Sequence, residues 1–289
     1  MKATPQGLFP APASSLNCRG TLLELSTPRI LGILNLTPDS FSDGGKFLEP
    51  DAALRQAEQL LNEGADILDL GAASSRPGSE TIPVEQELER LLPALRKIRQ
   101  VFPQALLSID TWWAEVARMA LAEGAHIVND ISAGRREPDI LNVAAHYGAP
   151  YILMHMQGTP ATMQLNPTYT DVVADVEAEL ITRLNAARAA GIVDVVLDPG
   201  FGFGKTMAHN YALFAALERF TQLGCPVLVG ISRKRMVSQL FSGESPENLT
   251  PAYTALHLQA LQAGVRLLRV HEPRWAVQAI RLWQQLAAA

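Results

Sequence analysis

Eight strand-length apolar runs constrain this chain more than any other feature. They read "RILGILN", "ADILDLG", "ALLSID", "HIVND", "PYILMHM", "VDVVLD", "PVLVGIS" and "RLLRVH". Each is nearly all apolar, as expected of parallel strands covered on both faces. Helical periodicity fills the intervals, over Pro50–Glu63, Pro83–Val101, Thr111–Glu123, Asp171–Ala190 and Thr250–Ala263. Several of these stretches run into glycine (Gly64, Gly124, Gly191, Gly264), the signature of a helix turning back toward a strand. Eight β-then-α units in 289 residues fit a single (β/α)8 TIM barrel. An open doubly wound sheet shares the alternation, but no Gly-rich fingerprint follows the first run. The segment "LNCRGTLLEL" ahead of the first unit is expected to form a short β-hairpin closing the barrel floor. The expected organisation is a flexible, Pro-containing lead-in over residues 1–15 and one barrel domain over 16–289.

A net charge of −5 argues against nucleic acid or an anionic membrane as the main partner. No apolar run approaches the length of a membrane span. The two cysteines, Cys18 and Cys225, lie far apart with no CxxC spacing and no grouping with histidine. A disulfide framework or zinc site is not expected, and a reducing cytoplasm fits this usage.

Polar residues arrive as each run finishes: Asn35, Asp69, Asp110, Asn129 with Asp130, His155, Asp198, Ser232 with Lys234, and Arg269 with His271. In a βα barrel these termini gather on one face, where active sites are built. Taken singly, an Asp or Asn there equally suits opening a turn or capping the next helix. Lys, Arg and His are poor N-caps, so the full set points to a pocket.

The stretch "LDPGFGFGKT" (Leu197–Thr206) imitates a phosphate-cradling loop. A P-loop needs glycine five residues before Gly204, where Pro199 stands, and the dinucleotide pattern needs glycine where Lys205 stands. Both patterns fail. What remains is Asp198 at a strand end, followed by a loop carrying Phe201 and Phe203. A carboxylate beside an aromatic ring suits a flat heterocycle with adjacent N–H donors. Such charge-assisted bonds contribute about 1.5–3 kcal/mol each when buried.

Eight blocks in order along the chain resemble the landmarks of the dihydropteroate synthase family. They are "GILNLTPDSFSDGG" (Gly32–Gly45), "SSRPG" (Ser74–Gly78), "SIDT" (Ser108–Thr111), "NDIS" (Asn129–Ser132), "LMHMQGTPATMQ" (Leu153–Gln164), "LDPGFGFGK", "GISRK" (Gly230–Lys234) and "RVH" (Arg269–His271). The resemblance implies a TIM-barrel transferase of folate synthesis, cytoplasmic, homodimeric and of the kind targeted by sulfonamides. Its reaction joins p-aminobenzoate to the methylene carbon of a hydroxymethyl-dihydropterin pyrophosphate, releasing pyrophosphate.

By that resemblance Asp110, Asn129, Asp198 and Lys234 bind the pterin, between walls made by Ile131, Met154, Phe203 and Gly230. Their chemistry agrees: the carboxylates accept ring N–H groups, Asn129 both donates and accepts, and Lys234 donates. Arg269 matches the residue lying flat on the pterin, a role suited to a planar guanidinium. Asn35, Arg76, Arg269 and His271 match positions around the pyrophosphate, with Asn35 toward Mg²⁺, an ion that prefers oxygen ligands. The loops Leu36–Glu49 and Ala72–Ile82 match lids, and Phe41, Ser75 and Pro77 match contacts to p-aminobenzoate, where Lys234 and Arg235 also stand. Asp110, Lys234, Asn35 and Arg76 are the expected catalytic group. The implied mechanism is dissociative: pyrophosphate leaves first, carboxylates such as Asp110 stabilise the pterin cation, and the arylamine attacks without a strong general base. His126, His146, His155, His209 and His257 read as structural.

Two positions depart from the family pattern. Ala73 stands where Glu is usual, and Arg235 where many members have Ser. Two rivals to an active synthase are a pterin-binding methyltransferase barrel and a non-catalytic paralogue. The lid motifs speak against the first, and Asn35, Arg76, Lys234, Arg269 and His271 against the second.

Overall fold

The apolar runs become one parallel barrel in the computed structural model, which describes residues 13–37 and 50–288. A hairpin comes first, β1 (Ser15–Cys18) pairing antiparallel with β2 (Thr21–Glu24). The barrel strands are β3 (Arg29–Asn35), β4 (Ile67–Gly71), β5 (Leu106–Asp110), β6 (Ile127–Asp130), β7 (Tyr151–Met154), β8 (Val195–Asp198), β9 (Leu228–Val229) and β10 (Leu267–Val270). Their order is β8-β7-β6-β5-β4-β3-β10-β9. A parallel bridge between Leu197 and Val227 closes the circle, and Leu197 N–H donates to the Pro226 carbonyl at 2.9 Å.

The helices cover the outside: α1 (Pro50–Asn62), α2 (Val84–Val101), α3 (Ala114–Ala122), α4 (Asp139–Tyr147), α5 (Val172–Ala189), α6 (Met207–Ala215), α7 (Leu217–Thr221), α8 (Arg235–Ser238), α9 (Thr250–Gln262) and α10 (Pro273–Ala288). The four anticipated glycines all take left-handed φ between 92° and 100°, which ends a helix without a Cβ penalty. Asp171 caps α5, accepting from the N–H groups of Val173 and Ala174.

Two boundaries differ from the sequence expectation. The run "PVLVGIS" yields only two strand residues, because Gly230 leaves the ladder and the turn beyond it places Arg233 at φ 57°. Helix α3 starts at Ala114 rather than Thr111. Thr111 N–H is engaged by the Asn129 carbonyl at 3.0 Å, and its hydroxyl accepts from Trp113 N–H at 3.2 Å, so the chain stays extended there.

Inside the barrel, one residue from every strand meets in a single apolar layer: Leu31, Ile67, Leu106, Ile127, Ile152, Val196, Leu228 and Leu267. The hairpin packs Leu16, Cys18, Leu23 and Leu25 into the same cluster. It is therefore the floor. Arg19, at the hairpin turn with φ 55°, donates to the carbonyls of Leu121 and Ala125 at 2.6 and 2.5 Å, fastening the turn to the barrel.

Candidate functional site

Strand side chains alternate, so residues two positions beyond the floor layer face the same interior one level up. That level reads Ile33, Asp69, Ser108, Asn129, Met154, Asp198, Gly230 and Arg269. Polar groups thus replace the apolar plug halfway along the barrel. Two residues further, within β3, β4 and β5, stand Asn35, Gly71 and Asp110, which are register neighbours. The pocket of a βα barrel is built at this end of the strands.

Arg269 organises the middle level. Its Nε donates to Asp69 Oδ2 at 2.6 Å and its terminal nitrogen donates to Asp110 Oδ2 at 2.6 Å. Asn129 Nδ2 donates to the same Asp69 oxygen at 3.0 Å. Because Asp69 only accepts, this bond fixes the Asn129 amide and leaves its Oδ1 to receive a ligand N–H. Asp69 is completely buried, and its Oδ1 has no partner.

Asp198 ends β8, with Oδ1 accepting the Gly200 N–H at 2.7 Å. Burial pushes both Asp110 and Asp198 up to about 6, against the pull of Arg269 and Lys234. Lys234 precedes α8 with its ammonium 4.1 Å from the centre of the Phe203 ring. Burial and Arg269 lower it to about 8. The apolar wall holds Ile131, Met154, Met156, Met163, Phe203 and Trp112 in one buried cluster. Gly230 leaves room beside Arg269, since a Cβ there would lie 3.7 Å from the arginine Cβ.

Just beyond β10, His271 Nδ1 lies 3.0 Å from Ser232 Oγ, and the His271 N–H donates to that oxygen at 3.3 Å. The hydroxyl either donates to Nδ1, leaving Nε2–H as a donor, or accepts from Nδ1–H through its second lone pair. Burial, followed by Arg233, Arg269, Lys234 and Arg76, pulls His271 down to about 3. The ring is neutral here rather than a cation.

The remaining expected residues sit at the rim. Arg76 and Pro77 are exposed on the loop after β4, with Ser75 half-buried, and Gly78 N–H donates to the Pro160 carbonyl at 3.0 Å. Arg235 is exposed on the first turn of α8, where its guanidinium faces the Gln239 side chain. Ala73 is half-buried. Phe41 and most of the first lid lie outside the described residues. Among the described residues no group of three or more His, Cys, Asp or Glu converges to hold a metal.

Sequence reasoning gave no role to Asp69, Ser232 or Lys205. The signal for Asp69 was its place two residues past Ile67, once Ile67 is known to be floor. Lys205 is buried beneath the Gly-rich loop, and its Nζ is 2.8 Å from His155 Nδ1. No helix among the described residues is long and apolar enough to cross a membrane.

Comparison with known proteins agrees with this geometry. Residues 31–271 match the family model described as pterin binding enzyme. The dihydropteroate synthase of Escherichia coli strain K12 is 43% identical over 95% of this chain and 97% of its own length. The Xanthomonas albilineans dihydropteroate synthase, solved with 4-aminobenzoic acid, superimposes with a TM-score of 0.89 at 44% identity, covering 96% of this chain and 99% of that one. A complex of the same organism's enzyme with 7,8-dihydropteroate gives 0.84 at 42% identity, over 95% and 99%. With the pterin binding enzyme model matched over residues 31–271 and relatives this similar over nearly its whole length, the chain belongs to the dihydropteroate synthase family.

Proposed function

We propose that this chain condenses p-aminobenzoate with 6-hydroxymethyl-7,8-dihydropterin pyrophosphate at the C-terminal mouth of its barrel. One observation carries the reading: Asp69, Asp110, Asn129 and Arg269, drawn from four strands, form a single bonded network. Asp198 and Lys234 face the same interior. The donors and acceptors suit an amino-pyrimidinone edge, and a site that leaves buried polar groups unpaired rejects the wrong heterocycle strongly.

Asp110 and Asp198 accept the ring N–H groups, and Asn129 Oδ1 accepts another. Lys234 donates to a ring acceptor from an ammonium that lies over the Phe203 ring. Arg269 supplies a flat cationic face between two carboxylates. His271, in its Nε2–H tautomer, and the Arg76 guanidinium receive the departing pyrophosphate. Charge develops on the pterin methylene as that anion leaves, and the Asp110 carboxylate stabilises it. The arylamine attacks next, with Ser75, Pro77 and Arg235 toward the benzoate end; Phe41 is assigned there by resemblance alone.

Mg²⁺ fits as an ion carried largely by substrate oxygens. It keeps several waters and takes few protein ligands, and the Asn35 amide oxygen at the end of β3 is the hard donor on offer. Asn35 would help hold such an ion, which would supply neutralisation of phosphate charge. The proposal includes a cytoplasmic homodimer, supported by resemblance to the family.

The test is pyrophosphate release from both substrates with Mg²⁺. Asp198→Ala and Lys234→Ala are expected to weaken pterin binding about 100-fold or more, in line with losing one or two charge-assisted bonds. Wild-type activity in either variant contradicts the assigned pocket. Binding of methyl-tetrahydrofolate without pyrophosphate release marks a methyltransferase, and pterin binding without turnover marks a non-catalytic subunit.

A further inference from the structure

The failed P-loop mimic leaves Lys205 unexplained. A lysine following a Gly-rich loop elsewhere reaches phosphate, but here the side chain turns inward and is 3% exposed. Its Nζ donates to the Gly200 carbonyl at 2.9 Å, the Phe203 carbonyl at 3.0 Å and His155 Nδ1 at 2.8 Å, with the His155 carbonyl at 3.4 Å. Three close acceptors match the three hydrogens of an ammonium. Burial lowers Lys205 to about 7 against the pull of Asp198; as the ammonium it only donates, which makes His155 Nδ1 the acceptor and the ring the neutral Nε2–H tautomer. Burial, with Lys205 and Arg135, accordingly drives His155 down to about 2.

The loop has few other internal supports. Gln164 donates to the Gly202 carbonyl at 2.6 Å, Tyr169 OH to the Gly204 carbonyl at 2.7 Å, and Gly202 N–H to Asn210 Oδ1 at 2.7 Å. Gly200, at φ 70°, presses so closely on the β7 exit that a Cβ would meet the His155 carbonyl at 1.9 Å. None of these partners holds both ends of the turn that carries Phe203. The turn's own backbone bond, Phe203 N–H to the Gly200 carbonyl at 3.1 Å, joins its two ends, and among these side chains Lys205 alone binds the carbonyls at both, Gly200 two residues past Asp198 and Phe203 itself. Phe203 in turn lies under the Lys234 ammonium.

Resting on the pterin-site reading above, we propose that Lys205 is a positioning residue for pterin binding. By tying the Gly200 and Phe203 carbonyls to His155, it sets the Phe203 ring and the Asp198 carboxylate at the spacing the heterocycle requires. It touches no substrate. Its effect reaches the pterin through Asp198 and Phe203; of the residues expected at the p-aminobenzoate end, Ser75, Pro77 and Arg235 stand on other segments and Lys234 is shared between the two substrates.

The experiment measures pterin Kd by calorimetry, KM for each substrate, kcat and the thermal midpoint, for wild type, Lys205→Met, Lys205→Gln and His155→Gln. Misplacing a binding group by about 1 Å costs about 100-fold. Folded Lys205→Met should therefore lose affinity for the pterin on that scale, while KM for p-aminobenzoate at saturating pterin moves less than about threefold. Lys205→Gln, which keeps one or two donors, should fall between it and wild type. His155→Gln, which keeps an acceptor for Lys205, should bind pterin like wild type. If Lys205→Met does not fold, the same comparison is read from Lys205→Gln. Unchanged pterin affinity in a folded Lys205 variant overturns the inference. So does a matched loss for both substrates in step with the thermal midpoint, the mark of a purely structural lysine. Absence of turnover in the wild type would instead sink the pterin-site reading, so the two failures are distinguishable.

Discussion

Arg269 and Asp110 meet across the barrel mouth at 2.6 Å, although 159 residues separate them in sequence. The same guanidinium holds Asp69, so one cation compensates two buried carboxylates. Removing one partner of such a cluster leaves uncompensated charge and costs about 3–5 kcal/mol, an upper range because the carboxylates can protonate. Arg269→Met is expected to lower the denaturation midpoint accordingly and to abolish turnover. Adding Asp69→Asn should recover part of the stability and none of the activity. Additive losses in the double variant would show that the pair is not coupled.

The pH dependence follows from the same cluster. Burial pushes Asp110 and Asp198 up to about 6, and protonation there turns one acceptor oxygen into a donor and removes the charge assistance, so kcat/KM for the pterin should fall as pH drops through about 6. Lys234, near 8, loses its charge above that value and supplies the alkaline limb. His271, near 3, stays neutral throughout and contributes to neither. A guanidinium does not titrate in this range, so Lys234→Arg should move the alkaline limb upward. A limb that stays near 8 in that variant assigns it to another group.

Glu87 on α2 is almost fully buried, and its Oε1 has no partner. Burial pushes its pKa up to about 7, with Thr111 pulling the other way. The folded state therefore holds this proton more tightly than the unfolded chain. Stability is fully present below the ordinary carboxylate pKa and is lost as pH rises toward 7. Glu87→Gln removes that loss and should stabilise the protein by about 1–3 kcal/mol at pH 8. At pH 4 the difference should vanish. Urea midpoints at the two pH values measure it.

The floor gives a prediction independent of the chemistry. Leu16 is 1% exposed in the layer shared by the hairpin and all eight barrel strands. Leu16→Ala should cost about 2–5 kcal/mol through lost burial and a residual cavity. Pterin affinity should be unchanged, because the polar level lies one side chain higher. Calorimetric titration of the folded variant would detect any coupling.

Much of this was readable from residue order. The strand runs named the barrel, and the polar endings named Asp110, Asn129, Asp198, Lys234, Arg269 and His271 as one face. The motifs supplied the identity. What periodicity alone could not supply was level: Asp69 and Asp110 both end apolar runs, yet Asp69 is two residues deeper relative to the floor residue of its strand. Only the register shows that it shares the level of Asn129 and Arg269 and orients both. Lys205 was misleading for a different reason. Its neighbours imitate a phosphate loop, and nothing in the local sequence says that the side chain points into the protein. The short β9 likewise escaped notice, because "PVLVGIS" is apolar enough for a full strand while Gly230 withdraws from the ladder. Arg76 and Arg235 are exposed rim residues, so their expected contacts rest on resemblance rather than on bonds made within the protein.

The apolar floor recruits side chains from Leu16 to Leu267. During synthesis the hairpin emerges first, yet its greasy underside has no complete seat until the final strand has left the ribosome. A chain stopped before Leu267 carries an unsealed hole where the last staves belong. The amino-terminal hairpin thus meets its full set of partners only over a finished circle.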